Sequence, residues 1–208
     1  MAASASVAPR TAPVRASSAD HLQRARVQPQ GPEFVFRIEA DAAAADAGVL
    51  RVHAITIERA DGTGDVQRID GLDTDTPVAP NLPALEFVDM NFDGFADLRI
   101  IESRPAGPTL PYRNWLFDPA SGRFVASPAL DALSAPRFDG AREEVVADWR
   151  DGAARYGTDT HAWRDGSLLP LRRKLRTYQR PGVYTETTAR WSDASWKEVE
   201  RHQGQDRP

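Results

Sequence analysis

Short segments in which apolar and polar residues alternate recur along most of this chain, and they restrict it to a β-rich fold. Phe34, Phe36 and Ile38 would share one side of a strand, and residues 49–58 repeat the pattern. Similar segments are 66–69, 85–88, 98–102, 114–117, 144–149, 153–163, 168–177 and 183–189. Only residues 127–133 predict a helix, with Ser127 as its cap and Pro128 at its first position. We therefore predict an all-β fold, an antiparallel β-sandwich or partly closed barrel with at most one short helix.

Composition divides the chain into three parts. Residues 1–31 are mostly Ala, Ser, Pro, Arg and Gln, so they cannot bury enough surface to offset ordering entropy, and we predict a flexible N-terminal tether. Residues 32–200 are predicted to form a single β-rich, calcium-binding domain, followed by a disordered tail at 201–208. Of the 208 residues, 41% are apolar, which is enough for a sizeable core.

Charge and cysteine content exclude several classes of function. The net charge of −4 is spread along the chain, which gives no argument for nucleic acid or an anionic membrane as the main partner. The absence of cysteine excludes disulfides, thiolate metal sites and cysteine nucleophiles. No apolar run approaches the roughly 20 residues that span a bilayer.

The most specific motif lies at residues 88–98, Val-Asp-Met-Asn-Phe-Asp-Gly-Phe-Ala-Asp-Leu. Asp89, Asn91 and Asp93 alternate as in the first half of an EF-hand loop, in which Phe95 would offer its carbonyl and Asp97 a carboxylate or a bridged water. Hard cations take oxygen ligands, and carboxylates packed this closely repel one another without a cation. The motif therefore predicts a Ca²⁺ site at these five residues, the alternative being an acidic turn without metal.

The motif departs from a sensor EF-hand in two ways. Its twelfth position is Ile100 instead of the bidentate Glu, and its flanks predict strands instead of helices. We therefore expect a loop between two strands, like those of FG-GAP-type repeats, that acts as a structural clip. A regulatory switch is not expected, because no helix pair is present to open.

No pattern in the sequence predicts catalysis. The four histidines have no neighbours at metal-ligand spacing, and no serine lies in a Gly-x-Ser-x-Gly elbow. Glu102, Glu143 and Glu144 are better explained as solvated surface charge than as a catalytic carboxylate pair. We therefore predict a protein that is not an enzyme.

Two segments are candidates for partner binding. Prolines bracket the loop 107–115, and Leu110, Pro111, Tyr112 and Arg113 would lie near its tip, with residue types favoured as interface anchors. The alternative is an ordinary loop whose tyrosine packs onto the core. A second, weaker candidate surface is 156–159.

Three motifs in combination carry a resemblance to a known group. They are 87–98, Tyr112-x-x-Trp115-Leu116-Phe117-Asp118 and Ser121-Gly122-Arg123-Phe124. The combination resembles exported proteins related to the immunity proteins of Xanthomonadales-type bacteria-killing type IV secretion systems. Those proteins are periplasmic lipoproteins with a Ca²⁺ loop, and their fold is similar to that of the periplasmic inhibitors of invertebrate-type lysozyme.

The resemblance implies that Asp89, Asn91, Asp93, Phe95 and Asp97 are Ca²⁺ ligands. It also implies that the loop carrying Tyr112 enters the active cleft of a cognate lysozyme-like peptidoglycan hydrolase and inhibits it. The resemblance implies a periplasmic lipoprotein. This sequence has no lipobox cysteine, so the expectation is that its leader and anchor have been removed. The alternative function is a calcium-stabilised envelope module that binds glycan or protein without inhibiting an enzyme.

Overall fold

The computed structural model describes residues 21–43, 49–77, 84–102 and 111–206. In these ranges the chain forms fifteen strands and one short helix. The strands are β1 His21–Arg26, β2 Glu33–Ala43, β3 Val49–Arg59, β4 Gln67–Ile69, β5 Thr74–Pro77, β6 Leu85–Val88, β7 Asp97–Ile101, β8 Tyr112–Asp118, β9 Arg123–Ala126, β10 Arg137–Asp139, β11 Glu144–Arg150, β12 Arg155–Arg164, β13 Ser167–Arg180, β14 Val183–Ser192 and β15 Ser195–Gln205. The helix α1 spans Pro128–Asp131.

The strands form three antiparallel sheets. The first has the order β1-β2-β3-β4, with β5 paired to the other end of β3; the second is β6-β7-β8-β9; the third is the meander β10 to β15. None of these sheets closes on itself within the described ranges. The predicted all-β class with one short helix is therefore confirmed, and the open sheets are consistent with a sandwich instead of a barrel.

The main core lies between the first two sheets. Alternation along β2 directs Phe36 inward, where its ring meets Phe87 of β6 at 4.7 Å and Phe124 of β9 at 5.6 Å between centroids. Phe34 meets Phe117 of β8 at 5.9 Å in an edge-to-face arrangement. Such pairs add directional contacts to the burial of apolar area.

A smaller core joins the second and third sheets. Met90, Leu130 of α1 and Val145 of β11 are fully buried in it. Beyond β12 the third sheet continues as β13, β14 and β15, in which no residue is buried. This part of the sheet therefore has two solvent-facing sides among the described residues.

The flexible segments predicted at the two ends of the chain are too long. His21–Arg26 forms β1 inside the predicted tether, and β15 extends to Gln205 inside the predicted tail, so the tether and tail are wrong for these residues. Main-chain pairing with β2 and β14 holds these polar strands, and such pairing does not need large apolar side chains. Residues 1–20, 207 and 208 lie outside the described ranges.

Candidate metal centre

The loop that connects β6 to β7 carries the EF-hand-like motif. Asp89 shapes its first half, because its Oδ1 accepts a hydrogen bond from the Asp93 amide at 3.2 Å and its Oδ2 accepts one from the Gly94 amide at 2.9 Å. The chain turns sharply at Phe92 and Gly94, which have φ of 63° and 86°. Glycine adopts such a φ without steric cost, whereas the phenylalanine is strained and needs the loop to hold it.

Asn91 and Asp93 continue this network at the loop surface. Asn91 Nδ2 donates to Asp93 Oδ2 at 2.8 Å, and the other carboxylate oxygen of Asp93 accepts a hydrogen bond from the Phe95 amide at 2.9 Å. The alternating oxygen side chains are therefore held together by the loop's own main chain. This is the local reason why the sequence folds into a compact turn here.

Asp97 occupies a different position from the other acids, at the start of β7. Its side chain is 0% exposed, and its two oxygens accept hydrogen bonds from the amides of Met90 at 2.7 Å and Phe117 at 2.8 Å. Burial raises the pKa of Asp97 to about 7, and the charges of Asp93 and Asp89 act in the same direction, against the two hydrogen bonds. Asp97 thus fastens the loop to β8, a structural role that the sequence pattern did not predict.

The donor set of the loop suits a hard cation, since carboxylate, amide and carbonyl oxygens are the ligands that Ca²⁺ takes. In addition, no Lys, Arg or His of the described ranges forms an ion pair with Asp89, Asp93 or Asp97, which leaves three nearby carboxyl groups without a compensating charge. Against this, no group of three or more His, Cys, Asp or Glu in those ranges is close enough to hold a metal ion. The residue types suit Ca²⁺, but the carboxylates do not converge closely enough in this structure to hold an ion.

The loop contacts elements from all three sheets. The Ala96 amide donates to the carbonyl of Val27, just after β1, at 2.7 Å. The indole Nε1 of Trp163 in β12 donates to the Met90 carbonyl at 2.9 Å. The Phe95 ring packs 5.5 Å from the Phe117 ring of β8. These supports are 20 or more residues away from the loop along the chain, so no local sequence signal could have identified them.

Tyr112 does not lie at a loop tip. It is the first residue of β8 and only 8% exposed, with the Arg99 guanidinium 4.2 Å from its ring centroid and its hydroxyl 3.4 Å from Glu86 Oε1. Burial raises the pKa of Tyr112, and the Glu86 charge adds to the effect. The geometry corresponds to the alternative in which the tyrosine packs onto the core.

The other predicted partner-binding residues lie at the boundary of the described chain. Pro111 accepts a hydrogen bond from the Glu102 amide at 2.9 Å, so the ends of the β7–β8 connection are adjacent. Arg113 is half-buried in β8, with its guanidinium 5.9 Å from the Trp115 ring centroid. Leu110 lies outside the described residues. The predicted surface 156–159 lies on β12 in the third sheet, away from this connection along the chain.

One solved structure has a similar fold. It is described as a Xanthomonas type IV secretion system related protein, and it matches with a TM-score of 0.66 and 14% sequence identity. The match covers 86% of this chain and 98% of the other. No known protein family matches the sequence, and no curated protein does so. At this identity the likeness shows a shared fold. Within the described ranges, no helix is long and apolar enough to cross a membrane.

Proposed function

We propose that this chain is a periplasmic immunity protein that binds and inhibits a cognate lysozyme-like peptidoglycan hydrolase. The observation that carries the proposal is the fold likeness to a type IV secretion system related protein along 98% of that protein's length. The sequence resemblance points to the same secretion context through residues 87–98 and 112–124. A binding role also agrees with the lack of a recognisable catalytic pattern in the sequence.

Calcium would serve this protein as a structural clip. Asp89, Asn91, Asp93 and the Phe95 carbonyl would hold the ion, with Asp97 directly or through a water. The bound ion would supply the positive charge that offsets the mutual repulsion of the carboxylates. Since the loop contacts elements from all three sheets, ordering it would stabilise their mutual arrangement, including the end of β8 at Phe117.

The surface proposed to contact the hydrolase is the connection between β7 and β8. Pro111 and Arg113 flank the first residue of β8, and Leu110 precedes them in the sequence. Pro111 limits the freedom of the unbound chain, which lowers the entropy lost on docking. Tyr112 would contribute without touching the hydrolase. Its ring and hydroxyl contact Arg99 and Glu86, and these contacts position the start of β8.

Clearing of a cell-wall suspension by the cognate hydrolase tests this proposal. Addition of this protein should abolish clearing near an equal molar ratio, and EDTA should weaken the inhibition. Arg113→Ala should also weaken it. The matched control is Arg123→Ala, which removes an exposed arginine from β9, on the opposite edge of β8 from β7.

Two results would contradict the proposal. Clearing that continues undiminished at a large excess of this protein would exclude inhibition of that hydrolase. Equal loss of inhibition in the Arg113 and Arg123 variants would place the contact elsewhere than the β7–β8 connection.

A further inference from the structure

The third sheet has a face that is covered neither by the β6–β7 loop nor by the smaller core around Met90, Leu130 and Val145. On β11, Val145 and Ala147 are buried towards the second core, and the alternating residues Glu144 and Asp148 point the opposite way. The register continues this outer face across the sheet, with Asp148 paired to Thr158.

A continuous groove crosses this outer face. One cavity of about 450 Å³ and another of about 520 Å³ adjoin there, and Thr158 of β12 and Lys174 of β13 line both of them. Together the two cavities span β11 to β14, which is about 14 Å at the usual spacing of roughly 4.8 Å between strands. The groove is therefore long enough for a short chain molecule and lies within the size range of ligand sites.

Charged side chains line the groove in matched pairs. Glu186 accepts hydrogen bonds from Lys174 Nζ at 2.9 Å and from Arg176 Nη2 at 2.9 Å. Asp148 accepts hydrogen bonds from the Thr158 hydroxyl at 2.7 Å and from Arg137 at 2.5 Å. The lining contains equal numbers of acidic and basic side chains. A ligand with a net charge would meet a group of its own sign beside each attractive one.

Aromatic rings form one end of the groove. Tyr156 is 36% exposed and meets Tyr178 edge-to-face, with 5.9 Å between ring centroids. Trp149 packs against the main chain at Gly157 from the opposite side of the sheet, where an added Cβ would come within 2.1 Å of the indole ring.

From these features we infer that the groove binds a neutral oligosaccharide. Sugar hydroxyls donate and accept hydrogen bonds, so they suit a lining in which Asp148, Lys174 and Glu186 alternate as acceptor, donor and acceptor. The C–H face of a sugar ring can pack on the exposed ring of Tyr156. The ion pairs hold the polar groups in fixed positions, which lowers the entropy lost on binding. This inference does not depend on inhibition of a hydrolase.

Isothermal titration of the full chain tests the inference, with tetramers of N-acetylglucosamine, glucose and galacturonic acid as probes. A neutral tetramer should bind saturably, with a Kd of about 1 mM or tighter, while the acidic tetramer should bind more weakly. Tyr156→Ala should weaken binding roughly tenfold, the loss expected for one aromatic contact. The matched control is Trp191→Ala, because Trp191 is 37% exposed but lies outside the groove lining.

Several outcomes would overturn the inference: no saturation with either neutral tetramer, tighter binding of the acidic one, or equal losses in the Tyr156 and Trp191 variants. If Tyr156→Ala fails to fold, amide shift mapping on the unmodified protein decides. Perturbations within β11–β14 support the groove, and perturbations confined to other strands overturn it.

Discussion

Replacement of Asp97 by alanine tests whether this buried side chain fastens the β6–β7 loop to β8. The change removes the acceptor for two buried main-chain donors, the amides of Met90 and Phe117. An unsatisfied buried donor costs about 1–3 kcal/mol. Part of this cost is offset, because the variant also loses a buried carboxyl group whose pKa is raised to about 7. In EDTA we therefore expect Asp97→Ala to lower the free energy of unfolding by about 2 kcal/mol or more.

Urea unfolding at pH 7.5, followed by tryptophan fluorescence, measures this change through the midpoint at constant slope. Asp118→Ala is the matched control, since Asp118 also accepts two hydrogen bonds, from Ala120 and Ser121, but in an exposed turn where water can replace it. Its effect should be much smaller than that of Asp97→Ala. Equal unfolding midpoints for the two variants would refute the role given to burial of Asp97.

Three further results are expected from the third sheet. Gly157→Ala should destabilise the protein by about 1–3 kcal/mol, because the new Cβ would overlap the Trp149 ring, whereas Gly140→Ala enters open space and should leave the melting temperature unchanged. Burial lowers the pKa of His161 in the folded state, so the native protein loses stability as the pH falls through the ordinary value of 6.5. His161→Gln should therefore flatten the dependence of the unfolding free energy on pH below 6.5. An unchanged pH dependence in chemical unfolding would contradict this. Trp163→Phe should lower the free energy of unfolding by about 1 kcal/mol through loss of the indole hydrogen bond to the Met90 carbonyl. An unaltered urea midpoint would show that this bond contributes nothing.

Most strands with several apolar residues could be predicted from the sequence, whereas the mainly polar strands β1 and β15 could not. The alternation of Phe34, Phe36 and Ile38 identified β2, and β6 was predicted with its observed bounds. β1 and β15 were missed because their side chains are mostly polar and exposed. Their position depends on main-chain pairing with neighbours, which leaves no apolar pattern to detect.

The loop between β6 and β7 shows the same division between local and distant information. The spacing of Asp89, Asn91 and Asp93 predicted a Ca²⁺ site in a sharp turn. The structure contains the turn, held by their side chains, while Ca²⁺ binding stays a prediction. The role of Asp97 could not be predicted, because its partner Phe117 lies on another strand.

The sequence left the position of Tyr112 open between a loop tip and the core. Bracketing prolines indicated a loop tip, whereas pairing with Ile101 draws the tyrosine into β8. Replacement of this buried residue by alanine would disturb folding as well as binding, so Tyr112→Phe is the variant that isolates its hydroxyl.

Sedimentation of this protein with the cognate hydrolase, in Ca²⁺ and again in EDTA, tests the central claim most directly. The account predicts a single species of one protein bound to one hydrolase in Ca²⁺, and a smaller fraction of that species in EDTA. Separate sedimentation of the two proteins in Ca²⁺, at concentrations where the hydrolase clears cell walls, would contradict the claim that this chain is its inhibitor.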